Sequence, residues 1–302
     1  MAAPMRYQSA RPEDIDGYIH SKHWHLQQKL DGVRVHVRIR PDEITLSGAS
    51  GYSGDLARIR KALLPLTAKQ QIITLDGELV EGRYWIFDLP EWGRPGPLWA
   101  SSPAVHWFRR YHMLNMLWDA APIDRDVIGL APTFLRPLEK NWLWDRVLER
   151  NLEGVVAKHR DGTYRYDSRT DEVIKIKVTH TVDCIVIDRN TGGKTNASLG
   201  LIAKNGTVRH VGNCSMIGKP DVQPGDIVEV KYLYAGSGGN LVQPTVLRHR
   251  DDKHPADCTT DQLTFISRDV LPYGVSRMNR RELAAATDRV SRDPDLAKIA
   301  GG

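Results

Sequence analysis

Cysteine is scarce in this chain, and long apolar segments are absent from it. The three cysteines, Cys184, Cys214 and Cys258, lie far apart, without the paired spacing of a zinc site or the density of a disulfide-stabilised domain. No run approaches the roughly 18 apolar residues that a membrane-spanning helix needs. Residues 1–17 also lack the apolar core of a signal peptide. These absences predict a soluble protein of the reducing cytoplasm.

The balance of charged and apolar residues is that of a mildly basic globular protein. The chain has 302 residues, of which 41% are hydrophobic, enough for two packed domains. Lysine and arginine number 42 against 37 aspartates and glutamates, which gives a formal net charge of +5. This charge permits a polyanionic partner but does not establish one.

The pattern of apolar residues divides the chain into three parts. Residues 1–179 contain short β-type runs separated by stretches with apolar residues at three- and four-residue spacing, which predicts an α+β domain. Residues 180–260 contain five strand-like runs with Gly- and Asn-rich turns, typical of a small antiparallel barrel such as the OB-fold. Residues 261–302 are predicted to form a helical tail, because Asn279 and Glu282 have the spacing of a capping box.

A lysine near the N-terminus precedes a strand of alternating character. In "QQKLDGVRVHVRIR", residues 27–40, Lys29 lies two residues before an Asp-Gly pair. Successive strand residues point to opposite faces, so the valines share one face while Arg34, His36 and Arg38 share the other. The basic face is then available to line a cleft. Taken alone, the segment is more typical of a surface lysine before a hairpin.

Four later segments place polar residues at strand ends or at two-residue spacing. "LDGELV" contains Glu78, and "YWIFDL" contains Phe87. In "LEGVVAK", Glu153 opens an apolar strand, and "VIKIKV" places Lys175 and Lys177 on one face. Two lysines on one face need a counter-anion, because like charges repel. A solvated edge strand protected by lysines is an equally good interpretation of the last segment.

In this order, the segments resemble the motifs of the covalent nucleotidyltransferases, the superfamily of ATP-dependent DNA ligases, RNA ligases and mRNA capping enzymes. "KLDGVR" is similar to motif I, "YWIFDL" to motif III, "EGVVAK" to motif IV and "IKIK" to motif V, while "RDDK" at residues 250–253 is similar to motif VI of DNA ligases. The resemblance covers residues 25–255. It implies an adenylation domain of antiparallel sheets with flanking helices, followed by an OB-fold domain.

The resemblance also implies the chemistry of the lysines. Lys29 would attack the α-phosphorus of ATP and form a lysyl-AMP phosphoramidate. Free lysine has a pKa of about 10.4, so it is mostly protonated at neutral pH and must be activated. Nearby cations, here Lys175, Lys177 and a bound metal, would favour the neutral amine and stabilise charge on the α-phosphate.

The nucleotide and its metal would be held by further residues. Phe87 would stack on the adenine ring, and Glu78 and Arg34 would contact the ribose. Asp31 and Glu153 would help to bind Mg²⁺, or Mn²⁺ in its place, because hard cations prefer carboxylate and phosphate oxygens.

Motif VI implies a closing movement. Arg250 and Lys253 would reach the β and γ phosphates only when the second domain closes over the nucleotide. After reopening, AMP would pass to a 5′-phosphate at a nick, and the 3′-hydroxyl would displace AMP to seal the strand.

The chain departs from the family pattern after motif I. Many members have a Ser-Arg pair there, whose arginine binds the 5′-phosphate of the nick, whereas here Gly48 follows Ser47. Either Arg38, Arg40 or Arg58 replaces that arginine, or nick sensing is weaker.

Two short segments favour a minimal enzyme. Only 28 residues precede Lys29, which leaves no room for a DNA-binding domain or a nicotinamide-recognising module, so ATP is the expected cofactor. "DRNTGGKTNASLG" is a turn where some minimal ligases carry a long DNA latch. Binding to nicked duplex DNA should then depend on basic surfaces and be sensitive to salt.

Three hypotheses follow. The first is a monomeric ATP-dependent DNA ligase acting in replication, repair or recombination. The second is an RNA ligase or another lysine nucleotidyltransferase such as a capping guanylyltransferase, but motifs IV and VI have the ligase form. The third is a non-catalytic nucleic-acid-binding OB protein, against which the intact Lys29, Glu153, Lys175 and Lys177 argue.

Overall fold

The chain divides into two compact units. The computed structural model describes residues 2–69, 71–93, 99–190 and 195–271. The first unit comprises Met1–Val147, Gly154–Ile176 and Arg268–Gly302, and the second comprises Leu148–Glu153 and Lys177–Ser267. Most of the predicted helical tail, including its capping box, lies outside the described residues.

The secondary structure of the described ranges is mixed, with more strand than helix. The strands are β1 (Arg6–Ala10), β2 (Trp24–Gln28), β3 (Val33–Arg40), β4 (Glu43–Ser47), β5 (Ile72–Val80), β6 (Arg83–Gly93), β7 (Trp99–Ser101), β8 (Ile128–Leu130), β9 (Thr133–Phe134), β10 (Gly154–His159), β11 (Arg169–Lys177), β12 (His180–Asn190), β13 (Asn196–Ile202), β14 (Val208–Ser215), β15 (Ile227–Tyr232) and β16 (Thr245–His249). The α-helices are α1 (Ile15–Ile19), α2 (Ser53–Leu63), α3 (Trp107–Ala120) and α4 (Pro137–Glu149). Short 3₁₀ turns occupy Pro12–Asp14, Leu64–Lys69, Pro255–Asp257 and Thr260–Gln262. No helix among these residues is long and apolar enough to cross a membrane.

Two sheets build the first unit. One has the strand order β1-β11-β10-β2-β9, and the other has the order β4-β3-β5-β6-β7 with β8 beside β6. β1 runs parallel to β11, whereas β3 runs antiparallel to both of its neighbours. β2, which ends one residue before Lys29, and β11, which contains Lys175 and Lys177, therefore belong to one sheet.

The apolar face of β3 lies in the main core of the first unit, as its alternation predicts. Val35, Val37 and Ile39 are fully buried and share one apolar cluster with Ile59 of α2 and Leu114 of α3. Burying each such side chain stabilises the fold by about 1.5–3 kcal/mol. The two helices thus cover one face of the sheet and leave the opposite, basic face of β3 for polar contacts.

The second unit is built on five antiparallel strands in the order β14-β13-β12-β15-β16. Outside these strands, the backbone N–H of Leu241 also donates to the carbonyl of Val211 in β14 at 2.7 Å. This number and orientation of strands are compatible with the predicted OB-fold barrel. The three cysteines are buried free thiols in this unit, and burial raises the pKa of Cys258 to about 11.

Candidate active site

One cavity of the first unit contains five of the predicted site residues. Its volume is about 340 Å³, and Lys29, Arg34, Glu78, Phe87 and Lys175 all line it. The sequence spacing of these residues gives no such grouping by itself. They meet because the ends of β2 and β11 and the polar faces of β3, β5 and β6 open onto the same space.

Lys29 sits where β2 ends. The ladder between β2 and β10 pairs Gln28 with Val155, and the backbone N–H of Lys29 then donates to the carbonyl of Gly154 at 2.9 Å. The backbone of Lys29 is thus held by β10, the strand that contains most of the "EGVVAK" segment, while the side chain of Lys29 lines the cavity.

Several cations share this cavity. Lys175 of β11 lines it together with Arg6 and Arg169, two arginines that sequence reasoning missed. Arg6 of β1 and Arg169 of β11 are paired across the parallel ladder. Positive side chains attract phosphate groups, so the cavity suits a phosphorylated ligand.

The aromatic residue of the cavity is fixed through its backbone. The carbonyl of Phe87 accepts a hydrogen bond from Nζ of Lys158 at 2.8 Å and from Nε2 of Gln27 at 3.4 Å. Nζ of Lys158 also lies 4.8 Å from the centroid of the Phe87 ring. These contacts hold the peptide of Phe87 and leave its ring on the cavity wall.

Lys158, which also lines the cavity, belongs to a buried network of charges. Its Nζ lies 3.8 Å from Asp88, and Asp88 receives two hydrogen bonds from Arg110, from Nε at 2.9 Å and from Nη2 at 3.2 Å. All three side chains are 1% exposed. Burial lowers the pKa of Lys158 to about 8. Burial alone would raise the pKa of Asp88, but Arg110 and Lys158 outweigh it, so that this pKa lies below its ordinary value.

Arg34 is held by a buried acid. Its Nε and Nη2 donate to the two oxygens of Asp76 at 2.9 and 2.5 Å, and its other hydrogen bonds go to the carbonyl of Met5 and the hydroxyl of Tyr7. The hydroxyl of Tyr164 completes the group by donating to Asp76 at 2.6 Å. These contacts use four of the five N–H groups of a guanidinium. Arg34 therefore shapes the cavity wall, and its contact with a ribose stays a prediction.

The two carboxylates predicted to hold a metal are each paired with a cation. Asp31 accepts a hydrogen bond from Nε of Arg268 at 3.1 Å in the first unit. Glu153 lies 3.0 Å from Nζ of Lys177 in the second unit. Neither Asp31 nor Glu153 is among the residues that line the cavity of Lys29. Carboxylate oxygens are ligands that Mg²⁺ prefers. The role of Asp31 and Glu153 as metal ligands stays a prediction.

Arg250 and Lys253 share an acidic partner in the second unit. Nη1 of Arg250 donates to Asp183 at 3.0 Å, and Nζ of Lys253 lies 3.7 Å from the other oxygen of Asp183. Arg250 also forms two hydrogen bonds with Asp252, at 2.7 and 2.8 Å, and these bonds lower the pKa of Asp252. The "RDDK" segment thus carries its own counter-charges, which an incoming phosphate would have to displace.

A separate cluster lies at the other end of β2 from Lys29. The ligand atoms of His23, His159 and Asp161 are within 4.8 Å of one another. Arg160 lies 3.6 Å from Asp161, so that a cation already competes with any metal there. We assign this cluster no role in the site.

The structure explains why the arginine of the usual Ser-Arg pair is missing. Gly48 has a φ of +91°, and a Cβ atom added to it would overlap the carbonyl oxygen of Arg34. An L residue at this position is therefore strained by both its backbone and its surroundings. The three candidate replacements each have an acidic neighbour: Arg38 lies 3.4 Å from Glu91, Arg40 lies 3.2 Å from Glu43, and Arg58 lies 3.8 Å from Asp55.

Substitution of Gly48 tests this explanation. We expect Gly48→Ala to lower the free energy of unfolding by about 1–3 kcal/mol, because it adds a side chain at positive φ against a backbone carbonyl. Gly51→Ala is the matched control, since an added Cβ there meets nothing within 4 Å. Urea unfolding of both variants measures the difference, and equal stabilities would show that Gly48 is not sterically required.

Comparison with known proteins gives sequence relatives of one kind. No known protein-family model matches the chain. A probable DNA ligase of Streptomyces griseus is 25% identical over an alignment 330 residues long, gaps included, which covers 90% of this chain and 58% of the relative. A probable DNA ligase of Streptomyces coelicolor is 28% identical over 300 residues, covering 78% of this chain and 57% of the relative. The chain thus spans little more than half the length of these curated relatives.

Solved structures with the same fold are also ligases. The ligase domain of LigD from Mycobacterium tuberculosis aligns with a TM-score of 0.50 at 17% identity, covering 85% of this chain and 97% of that domain. A Lig E DNA ligase structure aligns with a TM-score of 0.56 at 19% identity, covering 83% of this chain and 100% of that chain. The predicted α+β fold class and the predicted resemblance to DNA ligases are confirmed.

Proposed function

We propose that this chain is an ATP-dependent DNA ligase that seals nicks through a lysyl-AMP intermediate. The observation that carries the proposal is the shared cavity of the first unit, which brings Lys29, Lys175 and Phe87 together although they are far apart in sequence. The sequence relatives named as probable DNA ligases support it.

The first step is transfer of AMP to the enzyme. Nζ of Lys29 attacks the α-phosphorus, a nitrogen–phosphorus bond forms, and the bond from phosphorus to the bridging oxygen breaks. Pyrophosphate leaves with the electron pair, and the amine loses its proton to solvent. Lys175, Arg6 and Arg169 neutralise charge on the phosphates, since phosphoryl transfer depends chiefly on positioning and electrostatic stabilisation.

The nucleoside is held on the wall that Phe87 provides. The ring of Phe87 stacks on adenine, and the fixed peptide beneath it limits the loss of entropy on binding. Glu78, opposite Arg34 in the ladder between β3 and β5, contacts the ribose. Bound Mg²⁺ would supply further charge neutralisation at the phosphates, and Asp31 and Glu153 remain its candidate ligands.

The later steps act on the nucleic acid. An oxygen of the 5′-phosphate of a nick attacks the phosphorus of lysyl-AMP, the nitrogen–phosphorus bond breaks, and Lys29 takes up a proton as it leaves as the amine. The 3′-hydroxyl then attacks the 5′-phosphorus and loses its proton to solvent, the bond from that phosphorus to AMP breaks, and AMP leaves as the new phosphodiester forms. The substrate is nicked duplex DNA, and a monomer suffices for the reaction. Because phosphate contacts release counterions, sealing should weaken as salt rises.

Sealing of a singly nicked duplex is the direct test of the activity. We expect sealing with ATP and Mg²⁺ on DNA strands and much less on RNA strands assayed side by side. Preferential sealing of RNA would identify an RNA ligase, and labelling by GTP without sealing would identify capping-type chemistry. Binding of DNA without label or sealing would favour a non-catalytic OB protein.

Substitutions in "RDDK" should separate the reaction steps. We propose that Arg250 and Lys253 orient the leaving pyrophosphate, so Arg250→Ala or Lys253→Ala should lower self-adenylation at least about tenfold. Sealing of a nick that already carries AMP involves no pyrophosphate and should be nearly unchanged. Arg248→Ala is a control, because Arg248 is exposed and pairs with Glu229 instead. Equal losses in both assays would contradict this division of roles.

A further inference from the structure

The chain that follows the second unit returns to the first unit and contacts the residue next to Lys29. Nε2 of Gln28 donates to the carbonyl of Asp269 at 2.6 Å, and the backbone N–H of Leu271 donates to Oε1 of Gln28 at 2.9 Å. Gln28 is 6% exposed and Leu271 is 2% exposed. One side-chain amide thus holds the backbone on both sides of residue 270.

A second contact joins the same segment to the other side of Lys29. Nε of Arg268 donates to Oδ2 of Asp31 at 3.1 Å. We call residues 268–271 the strap. It is anchored at residue 28 and at residue 31, and these two positions flank the lysine on either side.

The strap acts where strand pairing on one side of β2 ends. β9 pairs with β2 only at Leu26 and Gln27. Beyond that point, the amide of Gln28 binds the strap with the donor and acceptor pattern that a neighbouring strand would use. The hydrogen bond from Lys29 to Gly154 holds the opposite edge.

We propose that the strap, through Gln28, positions Lys29 for attack on the α-phosphate. This inference rests on the proposed function. Gln28 is a positioning residue and takes no part in bond formation. In-line attack requires the nucleophile to be placed within a fraction of an ångström, and small displacements cost large factors in rate. Arg268 contributes less, because its side chain is 55% exposed and exposed ion pairs are weak.

The amide of Gln28 has no simple replacement. Glu has the same shape but cannot donate to the carbonyl of Asp269, and its negative charge would face that oxygen. Leu has a similar size and loses both hydrogen bonds, leaving the buried N–H of Leu271 without its acceptor. We call the two hydrogen bonds between Gln28 and the strap the clamp. Gln28→Glu breaks the clamp at Asp269 with little change in volume.

Two truncations and two substitutions test the strap. Removal of residues 268–302 deletes the strap, whereas removal of residues 272–302 keeps it. We expect the longer truncation and Gln28→Glu to lower the single-turnover rate of self-adenylation at saturating ATP by about tenfold or more, with less than about a threefold change in the apparent KM for ATP. The shorter truncation and Gln8→Glu, at an exposed glutamine of β1, should match the wild type. Wild-type rates for both the longer truncation and Gln28→Glu, the two clamp-deficient variants, would overturn the proposal.

Amide hydrogen exchange separates this inference from the proposed activity. Loss of the strap should speed exchange at residues 26–30 relative to the shorter truncation, whether or not the protein labels with ATP. If the wild type does not label, the proposed function fails and exchange still reports the clamp. If the wild type labels and the exchange of these residues is unchanged by either clamp-deficient variant, the strap does not position Lys29.

Discussion

Replacing Lys29 by alanine or by arginine is expected to abolish transfer of AMP from ATP to the protein. Alanine removes the nucleophile, and arginine keeps the charge but cannot lose a proton near neutral pH. Removal of a nucleophile typically costs several orders of magnitude in rate. Labelling with α-labelled ATP measures the effect directly, and we expect less than about a thousandth of the wild-type rate from either variant.

Two controls separate nucleophilic attack from loss of fold. Lys22→Ala, at an exposed lysine seven residues before Lys29, should label at the wild-type rate. Lys29→Ala should still seal a nick that already carries AMP, because that step needs no free lysine amine. Labelling of Lys29→Arg at a rate near that of the wild type would mean that another residue carries AMP.

Arg110→Ala should produce the largest loss of stability. Arg110 and Asp88 are each 1% exposed and joined by two hydrogen bonds, so removing the Arg110 side chain takes both of these bonds and one positive charge from a buried carboxylate. Removing one partner of a buried ion pair typically costs about 3–5 kcal/mol. We expect a loss of this size in urea unfolding followed by tryptophan fluorescence.

The neighbouring residue supplies the control for this loss. Arg109→Ala removes an exposed arginine from the same helix and should change stability by less than about 0.5 kcal/mol. Because Arg110 and Lys158 lower the pKa of Asp88, the contribution of Asp88 to stability is present above its unfolded pKa of about 4. That contribution is lost as the pH falls through the lower folded value, so the difference between Arg110→Ala and the wild type should shrink in acid. Equal stabilities of the two variants at neutral pH would contradict the role of the network.

The part of the site that follows a strand pattern could be predicted from the sequence. Lys29, Phe87 and Lys175 stand at motif positions at or near strands, and two-residue periodicity fixes which face a strand residue occupies. The alternation of β3 likewise predicted its buried valines. Local sequence therefore determined which face of its own strand a side chain occupies, whereas the fold determined which of these faces meet.

The buried support of the site could not be predicted in this way. Lys158 ends an apolar strand, and Arg110 lies in an amphipathic helix, so each is typical of a solvated position. Their partner Asp88 is 70 and 22 residues distant in the sequence. Only the packing of the sheet against α3 brings the three charges together, which makes the network a tertiary property.

The strap and the missing arginine depend on backbone geometry. Gln28 binds main-chain groups of Asp269 and Leu271, and main-chain hydrogen bonding leaves no side-chain signature at the bound residues. Gly48 could be identified as a departure from the family pattern. Its positive φ and the close carbonyl of Arg34 became visible only in the folded chain.

Peptide mapping by mass spectrometry after incubation with ATP and Mg²⁺, without DNA, tests the central claim most directly. One AMP should be found on the peptide that contains Lys29, in an acid-labile bond, and addition of nicked duplex DNA should discharge it. AMP attached to Lys158, to Lys175 or to no lysine would contradict the assignment of Lys29 as the nucleophile.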